Sequence, residues 1–373
     1  MPVASVYLDH NATSPLRPVA FDAMVEALTL GGNPSSVHKT GRAARALIEK
    51  ARRQVASLVG ALPAEIVFTS GGTEANNLVL KGTGRRRVLA SAVEHDSVLK
   101  ARACEIVPVD GDGVVDLAAL ERLLAGSPER ALVSVMFANN ETGVLQPVAE
   151  VVRLARQAGA LVHCDAVQGA GKQPVDLHGL GVDYLSLSAH KFGGPTGVGA
   201  LVVRTGAPFE TDRKGGGQES NRRAGTENVA GIAGFGAAAE AARDGLHVAK
   251  LRDRLEAELL KIAPEAKVYG AGAPRLSNTT CISMPGVKAE TQVMALDLAG
   301  VCVSAGAACS SGKVSRSAVL TAMGIEPSEA EMALRISCGW STVSEDIDRL
   351  IAAWRDLYIR VSHSDIMSRA RAA

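Results

Sequence analysis

Residues 183–194 read Asp183-Tyr184-Leu185-Ser186-Leu187-Ser188-Ala189-His190-Lys191-Phe192-Gly193-Gly194. The run Asp183–Ser188 has the length and apolar content of a buried strand. A lysine then stands between that run and a Gly-Gly turn. Lysines mostly sit on solvated faces. One placed at a sheet edge with a depressed pKa forms a Schiff base.

Working outward, five more runs share this character: Glu65–Ser70, Arg87–Ala92, Ala131–Ala138, Ala160–Cys164 and Val198–Arg204. Each is short, rich in Val, Ile and Leu, and bounded by polar residues or Gly, which predicts buried strands. Helical patterns such as Thr73–Leu80 and Val148–Ala158 lie between them. Strands alternating with helices predict an α/β domain with a mostly parallel sheet. The C-terminal third differs. Strands are expected at Asn278–Met284, Val301–Ser304 and Met332–Ser337, and helices at Glu290–Leu298 and Ser344–Arg360. These make a smaller α+β unit. Asn228–Ile262, helical but punctuated by Gly231, Gly234 and Gly245, joins the two. The expected division is a large domain over residues 16–250 and a small one built from residues 1–15 and 251–373.

In open α/β sheets ligands bind beyond the carboxyl ends of the strands. The first such end carries Ser70-Gly71-Gly72-Thr73-Glu74. Glycines opening a helix straight after a strand form an anion cup suited to phosphate, or else a plain turn capped by Thr73. The next end carries Glu94-His95-Asp96, where His95 is a site residue or an exposed loop histidine. Asn139 and Asn140 follow the third strand. Asp165 ends the next, needing a cation or donor partner there, or capping the helix that follows. Phosphate cup, carboxylate, ring-stacking histidine, amide donors and Lys191 form the inventory that pyridoxal phosphate requires. Their joint occurrence in order carries the reading.

The chain of 373 residues exceeds the roughly 150 typical of one domain and is long enough to bury a core without disulfide or zinc. Charged residues are 21% and hydrophobic residues 47%, which argues against disorder. A net charge of +1 gives no sign of a nucleic-acid partner or an anionic membrane surface. No apolar run approaches ~18 residues, so no membrane span is expected. The start has neither a basic nor an apolar leader segment, so a cytoplasmic location is expected. The six cysteines then read as thiols, and with no CxxC among them no metal site is expected.

Beyond these residues, the chain resembles the cysteine desulfurases of the NifS/IscS type, class V aminotransferases of the fold-type I pyridoxal enzymes. The resemblance spans nearly the whole chain. Its motifs are YLDHNATSP at Tyr7–Pro15, GNPSSVHKTGR at Gly32–Arg42, FTSGGTEANN at Phe68–Asn77, NNETGVLQP at Asn139–Pro147, HCDAVQ at His163–Gln168, SLSAHKFGGPTGVG at Ser186–Gly199, GGGQESNRRAGTEN at Gly215–Asn228, SAGAACSSG at Ser304–Gly312 and LRIS at Leu334–Ser337. It implies a large domain with a mainly parallel seven-stranded sheet and a smaller α+β domain carrying a catalytic cysteine loop. It implies that Lys191 holds pyridoxal 5'-phosphate and moves the Cα proton, that Asp165 pairs with the pyridinium nitrogen and that His95 stacks on the ring. Gln168 and Asn140 point at the ring hydroxyl, while Gly72, Thr73, Ser188 and His190 bind the phosphate. Thr226 reaches the phosphate in the partner subunit of a homodimer. Arg335 takes the substrate carboxylate, with Asn33 and Asn140 beside it.

The implied reaction converts L-cysteine to L-alanine. Cys309 as thiolate, deprotonated by His95, takes the substrate sulfur as a persulfide and passes it to an acceptor such as an iron–sulfur scaffold. Ala305–Gly312 is made of small residues that give a loop free to swing. Cys104, Cys164, Cys281, Cys302 and Cys338 read as core. Lys313 and Arg316 stand where the family often has Pro and Glu, which bears on acceptor docking. A short C-terminal tail puts the chain nearer the NifS branch. Selenocysteine lyase, an aminotransferase and a kynureninase-like hydrolase share the fold, and Cys309 separates the transaminase from the desulfurase. A non-enzymatic scaffold would lack Lys191 or Arg335.

Overall fold

The computed structural model describes residues 5–306 and 316–372, with side chains as far as Val361. Its strands are β1 (Val6–Tyr7), β2 (Ile66–Thr69), β3 (Arg87–Ser91), β4 (Glu105–Val107), β5 (Ala131–Met136), β6 (Leu161–Asp165), β7 (Tyr184–Ser188), β8 (Gly199–Val203), β9 (Thr279–Ser283), β10 (Val301–Cys302), β11 (Ser304–Ala305) and β12 (Ala333–Ser337). Seven of them form one sheet in the order β2-β8-β7-β6-β5-β3-β4. Only β8 runs antiparallel to its neighbours, β2 and β7. The sheet is therefore mainly parallel, as expected. The short edge strand β4 escaped the sequence reading because Glu105 and Ile106 are exposed and break its apolar run. Cys104, just before it, is half-buried rather than core for the same reason.

Apolar side chains pack both faces of this sheet. Ile48 and Val55 of α2 (Lys39–Leu58) meet Phe68, Val133 and Phe235 on one face. Leu78 and Val79 of α3 (Gly72–Gly82) meet Val67, Leu132 and Tyr184 on the other. Burial of each such side chain stabilises by roughly 1.5–3 kcal/mol. The glycine-punctuated segment forms two helices, Val229–Ala241 and Ala249–Ile262, with Gly245 in the break at φ +73°. The glycines inside the first helix let its neighbours approach closely. A Cβ on Gly236 would lie 2.5 Å from Cα of Ala51 in α2, and one on Gly234 would lie 2.6 Å from Cγ of Met24 in α1 (Pro18–Leu30).

The remaining strands build two small sheets. β9, β12 and β11 form an antiparallel one, and β1 pairs in parallel with β10. The single strand expected at Val301–Ser304 is thus divided between sheets at Val303. Cys302, on the narrow two-stranded pair, is half-buried where a core position was expected. Cys164, Cys281 and Cys338 are buried. Val6, Leu8, Leu255, Ile282, Leu350 and Trp354 share a core of their own. The last helix runs Ser344–Ala372, past the expected end at Arg360, since nothing breaks a helix in that stretch.

Candidate active site

β5, β6 and β7 run parallel, so the residues that follow them arrive at one edge of the sheet. A cavity of about 180 Å³ opens there. Gly72, Thr73, His95, Asn140, Asp165, Gln168, Ser188, His190, Lys191 and Arg335 all line it. Asn33 and Thr226 do not: both are exposed elsewhere, and Asn33 caps its own turn by accepting from Ser35 N–H at 2.9 Å. Cys309 and Lys313 lie outside the described residues.

One end of the cavity is an anion cup. Gly72 opens α3 directly after β2, leaving the N–H groups of the first turn without intrahelical partners. No side chain fits here: a Cβ on Gly72 would lie 2.7 Å from Cγ2 of Val167, and one on Gly199 would lie 2.5 Å from the Leu187 carbonyl oxygen. Behind the cup, Glu74 accepts from Ser70 N–H at 2.7 Å and from Arg223 Nε at 2.9 Å. Burial alone would raise this carboxyl, but Arg223 and Ser70 outweigh it and hold it at about 2.

The middle of the cavity is set by Asp165. Its Oδ2 accepts from Asn76 Nδ2 at 2.7 Å, and its Oδ1 accepts from Val167 N–H at 3.0 Å. Asn76 also donates to Ser97 Oγ at 2.8 Å. His95 caps the helix α4 (Asp96–Leu99), its Nδ1 accepting from Ser97 N–H at 3.0 Å. That contact assigns the ring proton to Nε2. Glu94 lies beneath, fully buried, its Oε1 accepting from Met136 N–H at 2.6 Å. Burial first, and the nearby Asp165 second, push its carboxyl well above the ordinary range, which favours the neutral acid.

At the other side the N-terminal segment crosses the site. Lys191 Nζ donates to the carbonyls of Asn11 at 2.7 Å and Ala12 at 3.0 Å. Arg335, on β12, is 1% exposed. Its Nη2 donates to Asp9 Oδ1 at 2.7 Å and its Nη1 to the Asn140 carbonyl at 3.2 Å. Its buried Nε has no partner among the described residues, a donor held ready for an anion. His190 Nδ1 meets Thr13 Oγ1 at 3.0 Å, and burial with the adjacent Lys191 lowers this imidazole to about 4. Asn11, Asn76, Ser97 and Lys172 were missed from sequence. Asn11 and Asn76 stand inside the quoted motifs, and an amide two residues from a charged side chain is the signal a sequence offers for them.

A cradle for phosphate, a strand-end carboxylate and a lysine amine around one cavity define a fold-type I pyridoxal-phosphate enzyme. The chain belongs to the class-V aminotransferase family, whose sequence profile matches residues 6–350. It is 48% identical over 364 residues to a cysteine desulfurase of Cereibacter sphaeroides, covering 93% of this chain and 94% of the relative. It is 43% identical to a cysteine desulfurase of Klebsiella pneumoniae, covering 93% and 91%. The solved NifS-like protein from Rickettsia africae superposes with a TM-score of 0.87 at 37% identity, covering 95% of this chain and 99% of that one. The donor set fits pyridoxal phosphate. The cup at Gly72 tolerates no side chain, and Asp165 already has Asn76 and Val167 fixing its two oxygens. Among the described residues no helix is long and apolar enough to cross a membrane, and no cluster of metal-ligating side chains occurs.

Proposed function

We propose that this protein is a cysteine desulfurase that converts L-cysteine to L-alanine and carries the sulfur on Cys309. The observation behind the reading is the convergence of Lys191, Asp165 and Arg335 on one cavity. Gly72, Thr73, Ser188 and His190 would hold the phosphate, Lys191 the aldehyde carbon, Asp165 the ring nitrogen, and Gln168 and Asn140 the ring hydroxyl. Bound there, pyridoxal phosphate supplies an electron sink for the pair left when a Cα–H bond breaks.

The chain's own groups do the rest. Arg335 takes the substrate carboxylate, with its unpartnered Nε and the Nη groups as donors. Lys191 Nζ removes the Cα proton. Cys309, as thiolate, attacks the substrate sulfur: an S–S bond forms, the Cβ–S bond breaks with its electron pair left on the carbon fragment, that fragment takes up one proton at Cβ and one at Cα, and it leaves as alanine. His95 covers the ring, and it takes the Cys309 proton at Nε2 only in the tautomer protonated at Nδ1, which requires the Ser97 N–H contact to be given up. The persulfide passes to an acceptor protein, such as an iron–sulfur scaffold.

The reading extends to a cytoplasmic homodimer of two-domain subunits, divided at residues 16–250 against 1–15 with 251–373. Phe21, Val25 and Leu28 project from α1 as exposed apolar side chains, a face suited to a second copy. Thr226, exposed and outside its own chain's cavity, is then available to the partner's phosphate. Asn33 is a substrate-side residue in the same reading. The test is an absorbance spectrum of the purified protein, followed by L-cysteine under reductant. A visible band near ~420 nm with equal alanine and sulfide is expected. A yellow protein inert to cysteine overturns the activity, and one that never binds the cofactor overturns the site.

A further inference from the structure

Behind the cavity, and not lining it, lies a buried lysine. Lys172 is 4% exposed. Its Nζ donates to Gln168 Oε1 at 2.6 Å and to Asn11 Oδ1 at 2.7 Å. A lysine this deep is costly unless its donors are used, and these two acceptors belong to residues of the site. We propose that Lys172 is a positioning residue that fixes the amide of Gln168 with its NH2 group toward the cofactor's ring hydroxyl. The proposal rests on the reading of the cavity given above.

The geometry permits one orientation of that amide. The Asn11 carbonyl can only accept, so Gln168 must turn its Nε2 to it and its oxygen to Lys172. The Nε2 is then on the other side, where one hydrogen goes to the Asn11 carbonyl at 3.0 Å. The second hydrogen is left for the cavity that Gln168 lines. The same lysine orients Asn11. With Oδ1 occupied by Lys172 and by Asn278 Nδ2 at 3.2 Å, Nδ2 of Asn11 donates to Thr279 Oγ1 at 2.9 Å and to the Asn140 carbonyl at 3.2 Å. The Asn11 carbonyl in turn receives Lys191 Nζ. One buried amine thereby sets a ring-side donor and the perch of the cofactor lysine. The charged or titratable groups around Lys172 are Lys191, Arg335 and His10. Burial and the first two cations lower the Lys172 pKa well below the ordinary value, and a neutral amine still supplies both donations.

A donor on the ring oxygen favours loss of the proton shared between that oxygen and the lysine-bound nitrogen. Removing the donor must therefore raise the apparent pKa of the visible absorbance band. The experiment titrates that band from pH 5 to 10 in cofactor-loaded protein, for the parent, Lys172→Met, Gln168→Ala and the double variant. Lys172→Met is expected to raise the pKa by about 1–2 units, the worth of a hydrogen bond to a charged group. The double variant is expected to move no further than Gln168→Ala. Lys172→Gln, which keeps one amide donor, is expected to shift less and serves where Lys172→Met does not fold. An unmoved pKa with lowered urea stability, or additive shifts, would overturn the proposal and leave Lys172 a packing residue. Absence of any visible band in the parent would instead overturn the cofactor site itself.

Discussion

Replacing Arg52 by Met tests a buried ion pair that shapes the chain just before Thr226. The guanidinium of Arg52 meets both oxygens of Glu219 at 2.8 Å and donates to the Ile66 carbonyl at 2.9 Å. It also stands 4.8 Å from the centre of the Phe68 ring. Glu219 accepts from Phe68 N–H at 2.9 Å as well. Next to this clamp the backbone is strained: Glu219, Ser220 and Asn221 have φ of 48°, 56° and 63°, a left-handed run without glycine. Such residues cost roughly 1–2 kcal/mol each, so the clamp must hold the run in place. Removing one partner leaves a buried carboxylate with a single N–H donor, and breaking such pairs costs about 3–5 kcal/mol. Arg222 donates to the backbone carbonyls of Glu219 at 3.4 Å and Ile66 at 3.2 Å and not to the carboxylate, so it does not replace the lost cation. Arg52→Met is therefore expected to lose about 4 kcal/mol in urea unfolding at pH 7. Glu219→Gln, measured alongside, is expected to lose less. The double variant is expected to fall short of the sum by about 2 kcal/mol, the coupling of residues in contact. A loss under about 1 kcal/mol in Arg52→Met, as for an exposed pair, or strict additivity in the cycle, would refute the clamp.

Acidification should destabilise the fold. Burial first holds the imidazoles of His10, His163 and His190 at about 4, below the ordinary 6.5. Between those values the unfolded chain binds more protons, so stability rises with pH across the window and is lost on going down through it. Glu141, which accepts from Ser317 Oγ at 2.6 Å, is raised by burial to about 7 and works the other way between 4.5 and 7. Glu94, raised likewise by burial, works with Glu141, and three histidines outweigh the two carboxyls, so the urea midpoint at pH 5 should lie below that at pH 7, and an equal or higher midpoint would contradict this. Glu94→Gln should change stability at pH 7 by less than about 1 kcal/mol, because burial and Asp165 favour the neutral acid and Gln keeps an acceptor for Met136 N–H; a loss of several kcal/mol would show a charged Glu94. Gly236→Ala should lower stability by about 1–3 kcal/mol through overpacking against Ala51, more than the helix propensity it gains, and a more stable variant would refute that close approach.

The sheet was legible because its central strands are buried on both faces. Ala131–Ala138 is apolar but for Ser134, Asp183–Ser188 carries Tyr184, Leu185 and Leu187, and the residues after them name the edge where a ligand sits. β4 was not, since two of its three residues face water and the period is lost. Nor was the division of Val301–Ser304 between two sheets, because it is decided by pairing with Val6 at one end and Arg335 at the other, and the local pattern does not carry that. In the site, Asp165, Lys191 and Arg335 could be named from residue type, position and resemblance. Asn11, Asn76 and Lys172 act through contacts between distant segments, such as Lys172 to Asn11 across 161 residues, and no local pattern carries those.

The contact between Asp9 and Arg335 spans 326 residues of chain. At synthesis rates of about 5–20 residues per second, the two are made roughly a quarter of a minute to a minute apart. All seven strands of the large sheet, with Asp165 and Lys191, have left the ribosome long before β12. Under the proposed function, the lysine and the groups that would hold the phosphate are therefore synthesised before the arginine that would take the carboxylate. The order of synthesis separates the strand-end residues of the large sheet from completion of the Asp9–Arg335 contact. Closing so long a loop is slow more than it is costly, because closure entropy grows only with the logarithm of loop length.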